Sequence, residues 1–167
     1  YFKKHPDRKW CSLAVNDMSG HCECEKCLAA VGGKKNFLNM YNYSDLYYAW
    51  VKKIVEGVLK YYPDKTFGLL AYSEVIEPPS FPLNPHVVPT ITYERLKWAV
   101  PSIREHGEKL TEAWMAKAKT LGWYDYLYGE PYKIPRIWFH VMGDYYRLGY
   151  SSNVRSVISE AAFNEDW

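Results

Sequence analysis

The sequence has few cysteines, little net charge and no long apolar run. Its 167 residues carry a formal charge of +2, so it lacks the positive surplus that binding to a phosphate backbone requires, and we expect no nucleic-acid partner. We also expect no membrane span, because no apolar stretch approaches the ~20 residues that a membrane-spanning helix needs. Four cysteines are too few for a disulfide scaffold in a chain of this length. No G-x-G-x-x-G or Walker A motif indicates a nucleotide site.

Aromatic residues are abundant instead. They make up 17% of the chain, with 16 tyrosines and 7 tryptophans, and 48% of the chain is hydrophobic, which argues against disorder. A tyrosine ring has apolar faces and a polar tip, so tyrosines suit a core that borders a polar cleft. Because the chain begins at Tyr1 without a methionine, we expect a processed chain or a piece of a larger polypeptide.

Strands and helices are predicted to alternate along the chain. Short apolar runs predict five strands, at 11–17, 66–74, 87–94, 123–129 and 154–161. Helical spacing predicts three helices, at 45–62 behind an N-cap at Ser44, at 101–121 and at 134–150. Residues 18–43, which hold three of the four cysteines, are predicted to form a long Cys-rich loop.

The order of these elements predicts an α/β fold with a parallel sheet. Polar or acidic residues recur at the carboxyl ends of the predicted strands, and in a parallel (β/α) barrel of the TIM type that end carries the active site. A full barrel needs ~250 residues, so five strands fit the C-terminal half of one, and residues 1–167 are interpreted as a single (β/α)-barrel segment. An open doubly wound sheet is the alternative, and it also binds ligands at the carboxyl ends of its strands.

Three segments are specific enough to compare with a known family: "LAVNDMSGHCECEKC", "YYPDKTFGLLAYSEVIEPP" and "LGWYDYLYGEPYKIPR". They resemble the bacterial family known as domain of unknown function 4838. The resemblance implies a TIM-barrel domain of a large, usually exported protein, related in fold to α-glucuronidases and hexosaminidase-type glycosidases. It therefore implies an oligosaccharide or polysaccharide partner and a secreted, periplasmic or cell-surface location. In many barrel glycosidases the general acid ends the fourth strand, and that analogy favours Asp17.

Hydrolysis of a glycoside needs two carboxyl groups, one protonated and one ionised, on either side of the scissile bond. The candidates are the acids near the predicted strand ends, Asp17, Glu74, Glu94, Asp125 and Glu160. Asp17 and Glu94 are the first choices. Alternation along 87–94 places Glu94 on one face with Thr90 and Thr92, which suits a polar barrel interior better than the helix-packed side. The alternative for each acid is an exposed strand end or an ion pair with an arginine.

Polar and aromatic residues beside these acids are candidates for contacts to a sugar. We predict substrate contacts at Asn16, Tyr72, Tyr93, Trp123 and Tyr126. The aromatic rings are expected to stack on sugar rings, and the alternative for each ring is packing in the core. The same residues also suit a barrel that binds glycans without cleaving them, which is the second function that the sequence supports.

The spacing of Cys22, Cys24 and Cys27 is tight enough for one metal ion. A structural zinc site needs four ligands, and His21 is the predicted fourth. Cys11 is a poor fourth ligand, because at ~3.3 Å per strand residue it lies roughly 20 Å below the loop.

The same cysteines are also compatible with other chemistry. A Cys22–Cys27 disulfide or free thiols are the alternative to a metal. Redox catalysis by Cys24 is disfavoured, because Glu23 and Glu25 are expected to raise the pKa of a thiol between them. No cofactor is predicted to be required for catalysis. A metal-dependent enzyme that uses the Cys/His cluster ranks last among the functions, because thiolate-rich zinc sites are usually closed.

Overall fold

Five strands and four helices form the part of the chain that the computed structural model describes, residues 1–15, 20–128 and 138–161. The strands are β1 (Trp10–Ser12), β2 (Thr66–Ala71), β3 (Val87–Thr92), β4 (Leu121–Tyr128) and β5 (Val154–Ala161). The helices are α1 (Glu25–Val31), α2 (Ser44–Leu59), α3 (Pro101–Met115) and α4 (Phe139–Ser151). Short 3-10 turns, Ser73–Val75 and Arg95–Ala99, follow β2 and β3. None of the helices in these ranges is long and apolar enough to cross a membrane.

The sheet confirms the predicted fold class. Its strands lie side by side in the order of the sequence, and every neighbouring pair is parallel. A doubly wound sheet reverses its strand order at a switch point, and no such reversal occurs among the described strands. The sheet curls into a half-barrel, which is consistent with a segment of a parallel (β/α) barrel.

The two faces of the sheet differ in polarity. Alternate residues of β2 and β3, such as Phe67 and Ile91, are buried in the apolar core. The other face, on the inside of the curl, carries small and polar residues. Gly122 of β4 is one of them, because a Cβ added there would lie 2.6 Å from Thr90 Oγ1 and 2.7 Å from Ser156 Oγ. The inner face of the half-barrel therefore brings the hydroxyl groups of Thr90 in β3 and Ser156 in β5 close to Gly122.

The first three observed strands end earlier than predicted. β1 stops at Ser12, although the predicted strand covers 11–17. β2 stops at Ala71 and not at residue 74, because Ser73 adopts a left-handed φ of 53° within a 3-10 turn. β3 stops at Thr92 and not at residue 94. The alternation of faces consequently ends before the acids that were predicted to follow it.

The predicted 18–43 loop contains a helix that the sequence analysis missed. Helix α1 covers seven residues, and Val31 is its one buried residue. Such a short helix with so little burial shows no apolar periodicity, which is why its pattern resembled that of a loop. Gly32 ends the helix in the left-handed conformation, with φ 61°, and its N–H donates to Leu28 O at 3.0 Å.

The remaining boundaries differ from the prediction by a few residues. Helix α3 ends at Met115 and not at residue 121, and β4 begins at Leu121, two residues before the predicted start. Helix α4 covers most of the predicted 134–150 helix, of which residues 134–137 lie outside the described part of the chain. Strand β5 has the predicted bounds.

Helix α3 packs closely against the 3-10 turn that precedes it. The indole of Trp98 in that turn is 4% exposed and lies over Gly107 of α3. A Cβ added at Gly107 would lie 2.6 Å from the Trp98 ring, a distance that real Cβ atoms do not reach. Glycine is therefore required at this position by a close approach, and not by an unusual backbone angle.

We expect Gly107→Ala to lower the free energy of unfolding by about 1–3 kcal/mol, because the buried indole of Trp98 must shift to make room. The control is Gly57→Ala in α2, where an added Cβ meets no atom within 4 Å. That control is expected to stabilise the protein by roughly 0.5–1 kcal/mol through helix propensity. Urea unfolding followed by far-UV circular dichroism measures both values. Stabilisation by both substitutions would contradict the close packing of α3.

Candidate functional site

The carboxyl ends of β2 to β5 surround a cleft on the inside of the half-barrel. Two adjoining cavities of about 320 and 330 Å³ form this cleft, and both are lined by Tyr72, Thr92 and Tyr126. We call it the tyrosine cleft. The remaining lining residues are Phe37, Leu38, Ile76, Tyr93, Glu94, Lys97 and Ile103 in one cavity and Val15, Leu70, Tyr124 and Glu160 in the other.

Glu94 reaches one cavity of the cleft from the segment after β3. Its side chain is 14% exposed, and Oε2 lies 2.5 Å from Nζ of Lys97, three residues further along. The 3-10 turn Arg95–Ala99 brings the two side chains together, because residues three apart lie on the same side of such a turn. The ammonium group of Lys97 favours the ionised form of this carboxyl group.

Glu160 reaches the other cavity from β5. Its side chain is half-buried, and the hydroxyl of Tyr124 donates to Oε1 at 2.6 Å. The register pairs Tyr126 with Glu160 and Thr92 with Tyr124. Glu94, two residues beyond the end of β3, lines one cavity with Tyr126, and Glu160 lines the other cavity with the same tyrosine. The two carboxylates lie on opposite sides of β4, which leaves Tyr126 between them.

Tyrosines supply most of the ring surface of the cleft. Tyr126 and Tyr124 meet edge to face, with ring centroids 5.6 Å apart. The hydroxyl of Tyr93 is anchored to α3, because it hydrogen-bonds with His106 Nδ1 at 3.0 Å and donates to Ile103 O at 3.3 Å. Burial raises the pKa of the Tyr93 hydroxyl, which therefore stays protonated at neutral pH. The four tyrosines bring apolar ring faces and hydroxyl groups to the same cleft.

A comparison with known families gives a match over the whole chain, residues 1–167. The chain belongs to the family described as Domain of unknown function (DUF4838). No curated protein and no solved structure matches it. The match establishes which family the chain belongs to. The chemistry of this DUF4838 domain has to be inferred from its own side chains.

Asp125 lies on the opposite side of the sheet from the tyrosine cleft. It is fully buried, and Oδ1 accepts hydrogen bonds from the backbone N–H groups of Arg95 at 3.0 Å and Tyr126 at 2.9 Å. Burial raises the pKa of this carboxyl group, and the positive charge of Arg95 opposes the rise. A carboxylate in this position stabilises the fold, and substrate cannot reach it from the cleft.

Arg95 is the buried cation that faces Asp125. Its side chain donates to backbone carbonyls of β3, of β4 and of the segment after β3, which are Tyr93 O at 3.0 Å, Tyr124 O at 3.2 Å and Ile91 O at 3.3 Å. Burial lowers the pKa of the guanidinium group to about 10, so Arg95 remains charged at neutral pH. The arginine that lies beside Asp125 is therefore Arg95, whose backbone N–H donates to Asp125 Oδ1.

Trp123 also lies on the helix side of β4. It is fully buried, its ring centroid is 6.0 Å from that of Trp98, and the guanidinium carbon of Arg95 lies 4.0 Å from its ring centre. It was predicted to stack on a sugar, but its ring faces are covered by protein. Tyr126, three residues later, points to the other face of the strand and lines the cleft.

Glu74 does not join the other acids. It lies in the 3-10 turn after β2, is 7% exposed, and lines a separate cavity with His21 and Tyr43. The left-handed Ser73 breaks the alternation that would have placed Glu74 on the same face as Tyr72. Tyr72 consequently lines the tyrosine cleft, whereas Glu74 lines the separate cavity beside the Cys-rich loop.

Asp17, one of the two first-choice acids, and Asn16, a predicted substrate contact, lie outside the described residues. Val15, the last described residue before them, lines the same cavity as Glu160. Asp17 therefore remains a prediction.

The cysteine cluster is a compact group at the start of α1. The sulfur atoms of Cys22, Cys24 and Cys27 lie within 4.8 Å of one another, and all three cysteines are free thiols. Among the described residues, Cys11 is not part of any such group, and it lies in β1. The three cysteines therefore form a candidate set of metal ligands.

The thiols of the cluster differ in acidity. The backbone N–H of Cys27 and then the thiol of Cys22 lower the pKa of Cys24 to about 7, although Cys24 makes no capping hydrogen bond of standard geometry. Hydrogen bonds to Cys22 and Cys24 raise the pKa of Cys27 to about 11. The expectation that Glu23 and Glu25 raise the pKa of Cys24 is wrong, because the backbone N–H at the start of α1 dominates.

Several residues of the cleft were not among the predicted contacts. Lys97 could have been found from its i+3 spacing to Glu94, and Tyr124 from its alternation with Tyr126. Phe37 and Leu38 carried no usable signal, because their position beside Glu94 depends on how the Cys-rich loop folds over the strand ends.

Asp125→Asn is expected to lower the free energy of unfolding by about 3–5 kcal/mol, because it leaves the charge of Arg95 buried without a counter-charge. The control is Asp144→Asn, which removes an exposed ion pair with Arg147 and should change stability by less than ~1 kcal/mol. Urea titration of both variants checks the values. An Asp125→Asn variant as stable as the unmodified protein would show that the buried pair is not structural.

Proposed function

We propose that this DUF4838 domain is a glycoside hydrolase that acts on an oligosaccharide or polysaccharide, with Glu94 and Glu160 as its carboxyl pair. The observation that carries the proposal is their placement. Both acids line one tyrosine-rich cleft at the carboxyl ends of parallel strands, on opposite sides of Tyr126. A sugar bound over Tyr126 has a carboxyl group on each side, which is what hydrolysis of a glycosidic bond requires.

The surroundings of the two carboxyl groups suggest which one acts as the general base and which one as the general acid. The ammonium group of Lys97 lies 2.5 Å from Glu94 Oε2, and a carboxyl group beside a cation suits the role of the base that activates water. Glu160 is then the acid that protonates the leaving-group oxygen. The hydroxyl of Tyr124, which donates to Glu160 Oε1, orients that carboxyl group.

The spacing of the strands favours inversion of configuration. Glu160 belongs to β5, Glu94 follows the end of β3, and β4 lies between these two strands. Neighbouring strands lie ~4.8 Å apart, so the backbones of β3 and β5 are separated by about 10 Å. Inverting glycosidases hold their carboxyl groups about 6.5–9.5 Å apart, whereas retaining enzymes hold them about 5–5.5 Å apart. A pair placed across an intervening strand fits the wider separation.

The other predicted residues have supporting roles in the proposal. Tyr72 and Tyr126 line both cavities and offer ring faces to sugar. Asn16 and Asp17 lie outside the described residues; Asn16 stays a proposed sugar contact and Asp17 a proposed catalytic acid. No cofactor is proposed for the chemistry. The family resemblance supports a secreted, periplasmic or cell-surface location in a larger bacterial polypeptide.

A glycan-binding domain without catalysis is the second candidate. The observation in its favour is that both carboxylates already have partners inside the protein, Lys97 and Tyr124. Acids held in this way can accept hydrogen bonds from sugar hydroxyl groups without exchanging protons. The two candidates are separated by turnover and not by binding.

We expect Glu94→Gln and Glu160→Gln each to reduce glycan hydrolysis by at least about 100-fold, because each removes one of the two proton-transfer groups. Binding of the same glycan should persist, since glutamine keeps the shape of the side chain. The matched control is Glu56→Gln in α2, whose side chain is 52% exposed and which should keep full activity. A screen of polysaccharides with reducing-end detection supplies the substrate. Proton NMR of the first product anomer then reports inversion or retention.

The same assay includes Asp17→Asn. If Asp17→Asn abolishes turnover while both glutamate variants retain it, the carboxyl pair has been assigned to the wrong residues. If the protein binds a glycan but none is hydrolysed, the domain is a binding module.

We expect Tyr126→Ala to weaken glycan binding by roughly tenfold, because an aromatic ring contact of this kind is worth about 1–1.5 kcal/mol. The control is Tyr61→Ala, which removes a tyrosine that is 80% exposed and lies after α2, away from the cleft. Isothermal titration calorimetry with the Glu94→Gln variant avoids turnover during the measurement. Equal affinities of the two alanine variants would exclude Tyr126 from the binding site.

A further inference from the structure

The cysteine cluster has the dimensions of a closed metal site. Its three sulfur atoms lie within 4.8 Å of one another without any disulfide between them. Zinc binds thiolate sulfur at ~2.3 Å in a tetrahedral arrangement, which places bound sulfur atoms roughly 3.7 Å apart. A side-chain rotation is enough to close that difference, since the side chains of Cys22 and Cys24 are exposed and unconstrained by packing.

The spacing of two of the cysteines along the chain also suits one ion. Cys24 precedes the first residue of α1 and Cys27 is the third residue of that helix, and the N–H of Leu28 donates to Cys24 O at 3.0 Å. The two sulfur atoms therefore belong to a single turn of backbone.

His21 is the nearest histidine in sequence and has an unused ring nitrogen. Its Nδ1 is buried and makes no hydrogen bond among the described residues, and its ring stacks on Tyr43 with centroids 4.5 Å apart. Its nitrogen atoms do not lie within 4.8 Å of all three sulfurs, so the ring must turn toward them on metal binding. Gly20, with φ 140°, bends the chain directly before it. Adjacent ligands such as His21 and Cys22 require such a bend.

We propose that Cys22, Cys24, Cys27 and His21 bind a structural Zn²⁺ ion that fixes the Cys-rich loop. Binding releases the protons of the three thiols and leaves a four-coordinate site with no open position, so the ion holds the loop and takes no part in hydrolysis. The metal is independent of the carboxyl pair, which lies in a different cavity.

The contacts of the loop show what the ion stabilises. The Tyr43 hydroxyl donates to Cys22 O at 3.4 Å, and its backbone N–H donates to Glu74 O at 2.9 Å. Further along, the N–H of Phe37 donates to Glu77 Oε1 at 2.9 Å. Phe37 lines the tyrosine cleft beside Glu94. The loop therefore connects the cysteine cluster to one wall of the cleft. An effect of zinc on glycan binding is expected only if the cleft binds glycans, so this part of the inference rests on the proposed function.

Metal analysis of the reduced protein tests the site directly. We expect about one zinc ion per chain by mass spectrometry of metals, and a thiolate-to-metal charge-transfer band after replacement by Co²⁺. Cys22→Ser, Cys24→Ser, Cys27→Ser and His21→Ala should each lose the stoichiometric zinc. Cys11→Ser is the control and should keep it, because Cys11 lies in β1 and outside the cluster.

Thiol counting on the unmodified protein covers the case in which the variants fail to fold. With zinc bound, Cys11 alone is expected to react with a thiol reagent among the four cysteines, whereas all four should react after a chelator removes the ion. Added Zn²⁺ should restore the protection. Digestion with trypsin should then cut within 20–43 faster in the chelated protein than in the zinc-loaded protein.

Three outcomes would overturn the proposal. The first is reduced protein without stoichiometric zinc, and the second is a disulfide between two of the clustered cysteines in protein isolated without reductant. The third is an unchanged Co²⁺ spectrum in the His21→Ala variant, which would exclude His21 as the fourth ligand. Each of these readouts concerns the metal or the thiols. A failure of the glycosidase assignment therefore leaves them unchanged, and a failure of the zinc site leaves the assay of Glu94 and Glu160 interpretable.

Discussion

The guanidinium group of Arg95 is buried between the end of β3 and the middle of β4, and it donates hydrogen bonds to backbone carbonyls of both segments. A buried cation costs several kcal/mol unless its donors are satisfied and a counter-charge is near, and Asp125 supplies the charge. Because Arg95 is fixed on the helix side, the preceding residue, Glu94, is held at the mouth of the cleft. The geometry of the candidate site thus depends on a buried arginine that substrate does not reach.

The pleat of the strands separates structural from functional side chains. In β4, Trp123 and Asp125 point to the helices, whereas Tyr124 and Tyr126 point into the half-barrel. Aromatic residues that are adjacent along the strand, Trp123 and Tyr124, therefore lie in different environments. A sheet with one apolar and one polar face can bury its core and still offer hydroxyl groups and carboxylates to a ligand.

The Cys-rich loop adds a wall that the sheet alone cannot provide. It passes from the cysteine cluster over α1 to Phe37 and Leu38, which line the cleft beside Glu94. Its attachment to the strand ends consists of a few hydrogen bonds, such as that from Asn36 Nδ2 to Ser73 O at 2.8 Å. A loop with little buried apolar surface opens easily unless local interactions hold it, which is why a bound metal ion would stabilise its folded conformation.

The sequence by itself determined the parallel half-barrel, the approximate elements and the polar interior, because apolar periodicity and alternation depend on neighbours along the chain. Alternation along β4 places Trp123 and Tyr126 on opposite faces of the sheet, yet both were predicted to contact a sugar. Local patterns in the sequence could not predict that Ser73 would turn Glu74 away from the cleft or that α1 would form within the loop. Nor could they predict that the Arg95 side chain would be buried beside Asp125. Those outcomes depend on a single left-handed residue and on contacts between segments up to forty residues apart, and only the tertiary structure brought Glu94 and Glu160 to one cleft.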